Sequence, residues 1–346
     1  MRMWKRISPL MVGFCLLMCG TLWAGESLHV YNWSEYMPEE VLVLFEKETG
    51  IKVIYTTYDS NEAMYAKLTS PDGKGYDLIF PSTYYVDKMR REGLLKKLDK
   101  SLLPGLENVE HSLLDKGYDP GNEYSVPYLW GSTGIGINTE QLNAEGLTQF
   151  ADFWAPRFKG KVMLTDDKRE VFAMALRVLG YSGNSTSEAE IMQAYAKLLD
   201  LMPNIRLFSA ESQRQVLLSG ETPVGSLWNG EAYMAALENP AIQFIYPREG
   251  AIFWLDSMVI PRDAANVEGA HKFINFILKP EIAKMITEEI GYTTPNKAAQ
   301  ALLDPGVASN PTVYPPEEVI LNGEFQVDVG DAISIYQHYW DLLKGH

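Results

Sequence analysis

Four separate segments of the sequence carry carboxylates at short spacing, and three of these segments also carry aromatic residues. In chain order, the segments hold Trp33, Glu35 and Tyr36; Asp167 and Glu170; Trp228 and Glu231; and Trp254 and Asp256. The face of an aromatic ring attracts a cation and covers methylene groups, and a carboxylate accepts charge-assisted hydrogen bonds from an ammonium group. If the four segments meet in one cleft, they form a binding site for an organic amine.

The first two segments also have a purely structural interpretation. Ser34 or Glu35 would cap the helix that is predicted to begin at Pro38. Asp167 and Glu170 have the spacing of a capping box, in which an N-cap side chain and an acid three positions later satisfy free backbone N–H groups. For both segments, helix capping and ligand binding are open alternatives at this point.

Asp256 lies in an apolar segment, residues 252–260, that is typical of a buried strand. Trp254 and Asp256 are two positions apart, so they project from the same face of that strand. A carboxylate is costly to bury without a partner. Asp256 therefore either forms a salt bridge within the protein or receives a cation from outside.

The familiar catalytic and metal-binding motifs are missing from the sequence. There is no G-x-S-x-G, P-loop or H-E-x-x-H motif, and the glycine-rich residues 131–136 do not match G-x-G-x-x-G. Paired acids are also found in glycosidases, but nothing here ranks one pair as acid and base. We expect a protein that is not an enzyme and uses no cofactor. No metal is expected either, because metal-ligand spacing is absent from His29, His111, His271, His338 and His346.

The composition is that of an acidic globular protein. The chain has 346 residues, of which 46% are hydrophobic, and a formal net charge of −15. This charge gives no electrostatic attraction to nucleic acid or to an anionic membrane surface. It either draws cationic ligands toward the protein or serves only solubility.

The first 24 residues are typical of a cleavable secretory signal peptide. Arg2, Lys5 and Arg6 form a basic start, residues 10–19 are apolar but too few to span a membrane, and Ala24 offers a small residue for cleavage. Removal of this segment takes away three positive charges, so the formal net charge falls from −15 to −18. We therefore expect an exported protein.

Both cysteines, Cys15 and Cys19, lie in this segment. The mature chain is then expected to have no disulfide, no cysteine-ligated zinc and no thiol nucleophile. The alternative is a lipoprotein acylated at Cys19, although Met18 before it is larger than the residue that such sites prefer. No later apolar run is long enough to span a membrane.

Strands and helices are predicted to alternate along the chain, which favours a mostly parallel sheet with helices on its faces. Ligands of such sheets bind beyond the carboxyl ends of the strands, which is where Trp33, Ser82 and Tyr84 lie. We predict strands at 28–31, 51–58, 76–80, 162–164, 224–227, 242–246 and 252–260, and helices at 38–49, 84–92, 171–179, 187–201, 271–278, 280–290 and 329–343.

The sequence has no internal repeat and no proline- or serine-rich linker. Two domains would therefore be tightly joined, with the chain crossing between them more than once. Residues 131–136 are the first candidate hinge, and residues 256–261 are the candidate return crossing.

Several motifs, in a constant order from Leu28 to the last helix, resemble the spermidine/putrescine-binding periplasmic proteins of bacterial polyamine ABC importers. They are V-Y-N-W-S-E-Y-M-P, F-E-K-E-T-G-I-K-V-I-Y, S-N-E-A-M-Y-A-K-L, D-L-I-F-P-S-T-Y-Y-V-D-K-M, L-T-D-D-K-R-E-V-F, W-N-G, F-W-L-D-S and G-Y-T-T-P-N. The resemblance covers nearly the whole chain that remains after removal of the expected signal peptide.

The resemblance implies an α/β, two-lobed periplasmic-binding-protein fold of type II. Each lobe would be a mixed sheet flanked by helices, with the ligand in the interlobe cleft. The signal peptide would be residues 1–24, the N-terminal lobe residues 25–134 plus 255–301, and the C-terminal lobe residues 135–254 plus 302–346. The implied protein is a periplasmic monomer that captures spermidine or putrescine and docks transiently on an inner-membrane ABC permease.

The resemblance also implies the residues of the ligand site. Ser34 stands where threonine is common in the family, and residues 208–218 depart from the family's pattern, so we assign no contact in that stretch. Asp119 is expected to be a surface carboxylate outside the site. Two other functions stay open, a periplasmic polyamine sensor that partners a membrane signalling protein and a secreted hydrolase. The implied contacts are aromatic from Trp33, Tyr36, Tyr84, Trp228, Trp254 and Tyr292, acidic from Glu35, Asp167, Glu170 and Asp256, and polar from Ser34, Ser82 and Gln326.

Overall fold

The computed structural model describes residues 26–71, 73–210 and 212–345. The expected signal peptide and both cysteines lie outside these residues. In the described chain the strands are β1 (Ser27–Trp33), β2 (Lys52–Tyr58), β3 (Leu78–Ile79), β4 (Ser125–Asn138), β5 (Val162–Thr165), β6 (Ile205–Ser209), β7 (Val224–Trp228), β8 (Ile242–Ile245), β9 (Ile252–Val259) and β10 (Glu324–Phe325).

Helices pack on both halves of the sheet, and short 3-10 turns fill many of the connections. Within the described residues, no helix is both long enough and apolar enough to cross a membrane. The α-helices are α1 (Glu39–Thr49), α2 (Asn61–Thr69), α3 (Thr83–Arg91), α4 (Lys168–Val178), α5 (Glu188–Leu201), α6 (Gln213–Ser219), α7 (Asn229–Glu238), α8 (Val267–Ile277), α9 (Pro280–Ile290), α10 (Lys297–Gln300), α11 (Pro305–Ala308), α12 (Glu317–Asn322) and α13 (Ile333–Lys344).

Local capping explains why most predicted helices begin and end where the sequence indicated. Gly50 ends α1 with a left-handed φ of 74°, and Gly291 ends α9 with a φ of 83°. A residue without Cβ adopts this conformation with little strain. Ser187 caps α5, because its side chain accepts a hydrogen bond from the backbone N–H of Glu190.

Some predicted elements differ from the observed ones. In the segment predicted as a strand at 76–80, only Leu78 and Ile79 pair with neighbouring strands. Helix α8 begins earlier than predicted, because the side chain of Asn266 accepts a hydrogen bond from the backbone N–H of Gly269. The last helix begins later than predicted, since a 3-10 turn over Gly330–Ala332 precedes it.

The strands form one sheet in the order β2-β1-β3-β9-β4-β7-β5-β6, with β10 beside β9 and β8 beside β4. The outer pairs β1–β2, β1–β3, β5–β6 and β5–β7 are parallel, as the alternation of strands and helices predicts. The central pairs β3–β9, β4–β9 and β4–β7 are antiparallel. The sheet is therefore mixed, with two parallel ends joined by an antiparallel centre.

Two large hydrophobic cores lie on either side of this centre, and β4 and β9 contribute to both. The first core contains Val126 and Leu129 of β4 and Met258 of β9. The second core contains Ile135 of β4 and Ile252 of β9. Residues 131–136, the candidate hinge, are therefore part of an extended strand that passes from one core to the other.

Asp119 is fully buried, so the prediction of a surface position was wrong. Its carboxylate accepts hydrogen bonds of 2.7–3.1 Å from the backbone N–H groups of Glu123, Tyr124 and Ser125 and from the hydroxyl of Ser125. These bonds hold the turn that leads into β4. The polar sequence of this segment did not indicate that the Asp119 carboxylate is buried and accepts hydrogen bonds from the backbone that follows it.

Gly131 allows a large aromatic ring to cross β4. It lies directly opposite Trp254 in the β4–β9 pairing. A Cβ at position 131 would lie 2.5 Å from Cζ2 of Trp254 and 2.5 Å from Oδ1 of Asn229. The missing side chain is thus what lets the Trp254 ring lie against the strand.

We expect Gly131→Ala to lower the free energy of unfolding by about 1–3 kcal/mol, the usual cost of overfilling a packed site. Urea unfolding of the purified protein would measure this change. Gly117→Ala is the matched control, because a Cβ there meets no atom within 4 Å. Equal stabilities of the two substituted proteins would contradict the packing argument.

Candidate functional site

A cavity open to solvent lies where the chain leaves the carboxyl ends of β1, β2, β3, β5 and β7, with lining residues from both halves of the sheet. All thirteen side chains proposed from the sequence line it, together with five others. The lining residues are Trp33, Ser34, Glu35, Tyr36, Tyr58, Asp59, Asn61, Ser82, Tyr84, Asp167, Glu170, Ala210, Trp228, Glu231, Trp254, Asp256, Tyr292 and Gln326.

The lining is strongly anionic and aromatic. Six of these residues are acidic and seven are aromatic, and among the described residues no lysine, arginine or histidine belongs to the lining. A low-dielectric wall that carries one sign of charge concentrates ions of the opposite sign. The cavity is therefore suited to a cation.

Asp256 is a buried carboxylate in the lining of this cavity. Its Oδ1 accepts a hydrogen bond of 2.6 Å from the Ser82 hydroxyl, and its Oδ2 accepts one of 2.9 Å from the Tyr36 hydroxyl. No ion pair in the described chain includes Asp256, so the internal salt bridge that the sequence left open is absent. Burial raises the pKa of Asp256 to about 7, although both hydroxyl donors lower it.

A second layer of polar groups fixes the Ser82 hydroxyl. Asn61 donates from Nδ2 to the Ser82 hydroxyl at 3.0 Å and to the Tyr84 hydroxyl at 2.9 Å. Its Oδ1 accepts a hydrogen bond from the backbone N–H of Ser82. Asn61 thus couples the start of α2 to the start of α3, and it orients two side chains of the cavity wall.

Asp167 and Glu170 lie together at the start of α4, and each has a different role. Asp167 caps the helix by accepting from the backbone N–H groups of Arg169 and Glu170, which confirms half of the capping interpretation. Glu170 does not reach back to the backbone. Its Oε1 accepts a hydrogen bond of 3.0 Å from Gln326, and its Oε2 is buried with no partner in the described structure.

Both of these carboxyls have raised pKa values. Burial is the main cause for Glu170, and the nearby charge of Asp167 adds to it. Burial is also the main cause of the raised pKa of Asp167, followed by the charge of Glu62. Two carboxyls in one poorly hydrated corner disfavour ionisation until a cation neutralises them.

Glu35 and Glu231 form a third acidic group nearer to solvent. Glu35 follows β1 with a left-handed φ of 52°, and two-thirds of its side chain is exposed. Helix α1 has no side-chain cap, so capping by Ser34 or Glu35 was wrong, and Ser34 instead donates to Asp59 at 2.9 Å. Burial raises the pKa of Glu231, while the charge of Arg214 lowers it.

The aromatic wall is held rigidly by its own packing. Trp33 donates from Nε1 to the carbonyl oxygen of Phe80 at 2.8 Å, and its ring centroid lies 4.8 Å from that of Tyr58. The ring of Tyr292 lies 5.1 Å from Trp254 and 5.5 Å from Tyr36. Aromatic faces fixed in this way cover methylene groups and stabilise a nearby cation.

The residues that the sequence did not propose fall into two kinds. Tyr58 is the last residue of β2 and Asp59 follows it, so the strand-end argument that selected Trp33 also applied to them. Asn61 and Ala210 depend on how α2 and the end of β6 pack, which no local pattern indicates. Glu231 was noticed beside Trp228, but it was not included among the proposed contacts.

Comparison with known proteins identifies relatives over nearly the whole chain. Residues 41–315 match the family model for bacterial extracellular solute-binding proteins. The spermidine/putrescine-binding periplasmic protein of Escherichia coli K12 is 52% identical over 320 residues, which are 92% of this chain and 92% of that protein.

Solved structures agree with the α/β periplasmic-binding-protein fold that the sequence implies. A structure from Listeria monocytogenes is 37% identical with a TM-score of 0.88, and the match covers 92% of this chain and 99% of that one. The spermidine/putrescine ABC transporter substrate-binding protein of Streptococcus pneumoniae is 36% identical with a TM-score of 0.75. That match covers 91% of this chain and 100% of that one.

The raised pKa of Asp256 predicts how stability depends on pH. Its carboxyl is protonated in the folded, ligand-free protein at pH values where the unfolded chain has already lost the proton. The associated stability is therefore full below about pH 4 and is lost as pH rises through about 7. The difference amounts to on the order of 4 kcal/mol at pH 8.

Asp256→Asn keeps an oxygen that accepts a hydrogen bond but cannot ionise. We expect the ligand-free protein with this substitution to be more stable than the unsubstituted protein at about pH 8 and similar to it near pH 4. Urea unfolding of both proteins across this range, after removal of ligand in denaturant, measures the difference. A stability difference that does not change with pH would contradict the assignment.

Proposed function

The chain belongs to the family of bacterial extracellular solute-binding proteins, and we propose that it captures a polyamine, spermidine or putrescine, and delivers it to a membrane permease. The E. coli relative is a spermidine/putrescine-binding periplasmic protein. We extend the ligand class of that relative to this chain because the cavity of this chain is lined by acidic and aromatic side chains.

The buried, unpaired carboxylate of Asp256 is the observation that carries this proposal. Its only side-chain partners in the described chain are the hydroxyls of Ser82 and Tyr36. These donors orient the two oxygens but leave the negative charge without a counter-ion. An ammonium group in the cavity supplies that charge, and the aromatic wall accommodates the methylenes that join one ammonium to the next.

The number of acidic groups is sufficient for tight binding. Each desolvated carboxylate–ammonium contact contributes on the order of 1.5–3 kcal/mol, and each cation–π contact about 0.5–2 kcal/mol. Three contacts of each kind sum to about 6–15 kcal/mol, and totals in the upper part of this range leave the roughly 8 kcal/mol of micromolar binding after a cost of association of about 4 kcal/mol.

We propose that residues 25–134 plus 255–301 form one lobe and residues 135–254 plus 302–346 the other. The separate hydrophobic cores on the two sides of β4 and β9 support this division. A ligand that contacts both lobes binds the closed state better than the open state, and this difference in affinity drives closure. Asp256 and Asp167 would contact the ligand from opposite lobes.

Delivery requires export and docking. The basic and apolar start of the sequence, residues 1–24, supports export to the periplasm through a cleavable signal peptide, and that segment lies outside the described residues. The family and the names of its members support a solute carrier rather than an enzyme. We infer that a monomer in its closed form docks on the permease.

Isothermal titration calorimetry on ligand-free protein should detect binding of putrescine or spermidine. Asp256→Asn should weaken that binding about tenfold to hundredfold, because an ammonium loses a charged acceptor. Asp263→Asn is the matched control, since half of its side chain is exposed. The proposal fails if no diamine or triamine gives heat, or if the two substitutions have the same small effect.

Binding should also release protons near neutral pH. The carboxyls of Asp256 and Glu170 have raised pKa values in the free protein, and an ammonium neighbour favours their ionised forms. The apparent binding enthalpy at about pH 6.5 should therefore depend on the ionisation enthalpy of the buffer, with the sign of proton release. Identical enthalpies in phosphate and Tris would show that these carboxyls are already ionised.

A further inference from the structure

Arg214, at the start of α6, is a cation of the chain that reaches the rim of the cavity. Its Nη2 lies 3.9 Å from Oε2 of Glu35, and its Nε lies 3.7 Å from Oε1 of Glu238. About a quarter of the Arg214 side chain is exposed. Arg214 lies within residues 208–218, the stretch to which the sequence assigned no contact.

Five of the six acidic residues of the lining fall into three groups, and the sixth, Asp59, accepts a hydrogen bond from the Ser34 hydroxyl. The inner pair is Asp167 with Glu170, the middle group is Asp256, and the outer pair is Glu35 with Glu231. The contacts that Asp256 makes on its two sides give the order of the groups.

The inner side of Asp256 is reached through Ser82, Asn61 and Tyr84, which form a continuous hydrogen-bonded chain. The ring of Tyr84 then lies 5.4 Å from the guanidinium of Arg169, the residue before Glu170. The inner pair is therefore on this side of Asp256.

The outer side is reached through aromatic rings. Tyr36 donates its hydroxyl to Asp256, and its ring lies 5.5 Å from that of Tyr292. A Cβ on Gly230 would collide with the Tyr292 ring, so this ring packs directly against the backbone that precedes Glu231. The outer pair is therefore on the other side of Asp256.

Among the described residues, the outer pair differs from the other groups in having a chain cation against a lining carboxylate. The nearby Lys168 pairs with Glu62, which does not line the cavity. The guanidinium of Arg169 donates instead to the carbonyl of Val327 and to the side chain of Asn184. Lys168 and Arg169 therefore act on the inner pair only from outside the lining, where their charges lower the pKa values of Asp167 and Glu170. Asp256 has no ion pair, whereas Glu35 of the outer pair has a direct one with Arg214.

We propose that Arg214 determines how many ammonium groups a ligand places in the cavity, and that it favours a diamine over a triamine. A diamine places its two ammonium groups at the inner pair and at Asp256. A third ammonium, on a longer amine, would lie at the outer pair beside the guanidinium and be repelled by it. This inference rests on the proposed function and names the specificity of the same cavity.

Titrations of Arg214→Gln with putrescine and spermidine, at one ionic strength, test the proposal. We expect the affinity for spermidine to rise about fivefold or more relative to the affinity for putrescine, the effect of removing one close charge. Arg214→Lys, which keeps the charge, should keep the original ratio. Arg206→Gln removes a positive charge from an exposed site in β6 and should leave the ratio unchanged.

Three results would overturn the proposal. Equal weakening of both ligands in Arg214→Gln would mean that the Arg214–Glu35 pair only holds the two sides of the cavity together. An equal change of the ratio in Arg206→Gln would mean that net charge alone is responsible. A changed ratio in Arg214→Lys would mean that shape rather than charge decides. If the unsubstituted protein binds neither amine, the proposed function itself fails, which is a separate outcome.

Discussion

Burying a carboxylate in a mostly apolar site is costly unless another group compensates for the lost water, and at Asp256 the compensation is incomplete. Two hydroxyl donors orient the carboxylate, yet burial keeps its pKa raised, and no cation of the described chain forms an ion pair with it. Several surrounding residues position the side chains that contact or neighbour Asp256. Asn61 fixes Ser82, Tyr128 donates to the backbone of Tyr36, and Gly131 makes room for the ring of Trp254.

The missing counter-ion of Asp256 lowers the stability of the free protein but leaves the carboxylate available to a cationic ligand. A carboxylate that was fully satisfied by an arginine would stabilise the free protein but would offer nothing to an incoming amine. The free protein instead holds several acidic side chains close together and gives up stability to do so. Glu170, with one buried oxygen lacking a partner in the described structure, follows the same principle as Asp256.

The sequence predicted the parts of the site that depend on strand ends and on ordered motifs. Trp33, Ser82 and Tyr84 follow predicted strands, and parallel strands bring their carboxyl ends to one edge. Asn61 could not be predicted, because its role depends on where α2 packs against α3. The glycines of β4 were proposed as a hinge, and the sequence alone did not indicate a second role for them in packing. In the structure they permit close packing against Trp254 and Phe244.

The sharing of β4 and β9 between the two cores has a consequence for how the molecule loses its structure. Neither core is complete without residues from these two strands, and residues 125–133 of β4 pair with residues 252–259 of β9. Unfolding of one side therefore removes strands on which the other side depends. The two halves must lose their structure together, in one cooperative transition, even though the proposed closure moves one half relative to the other.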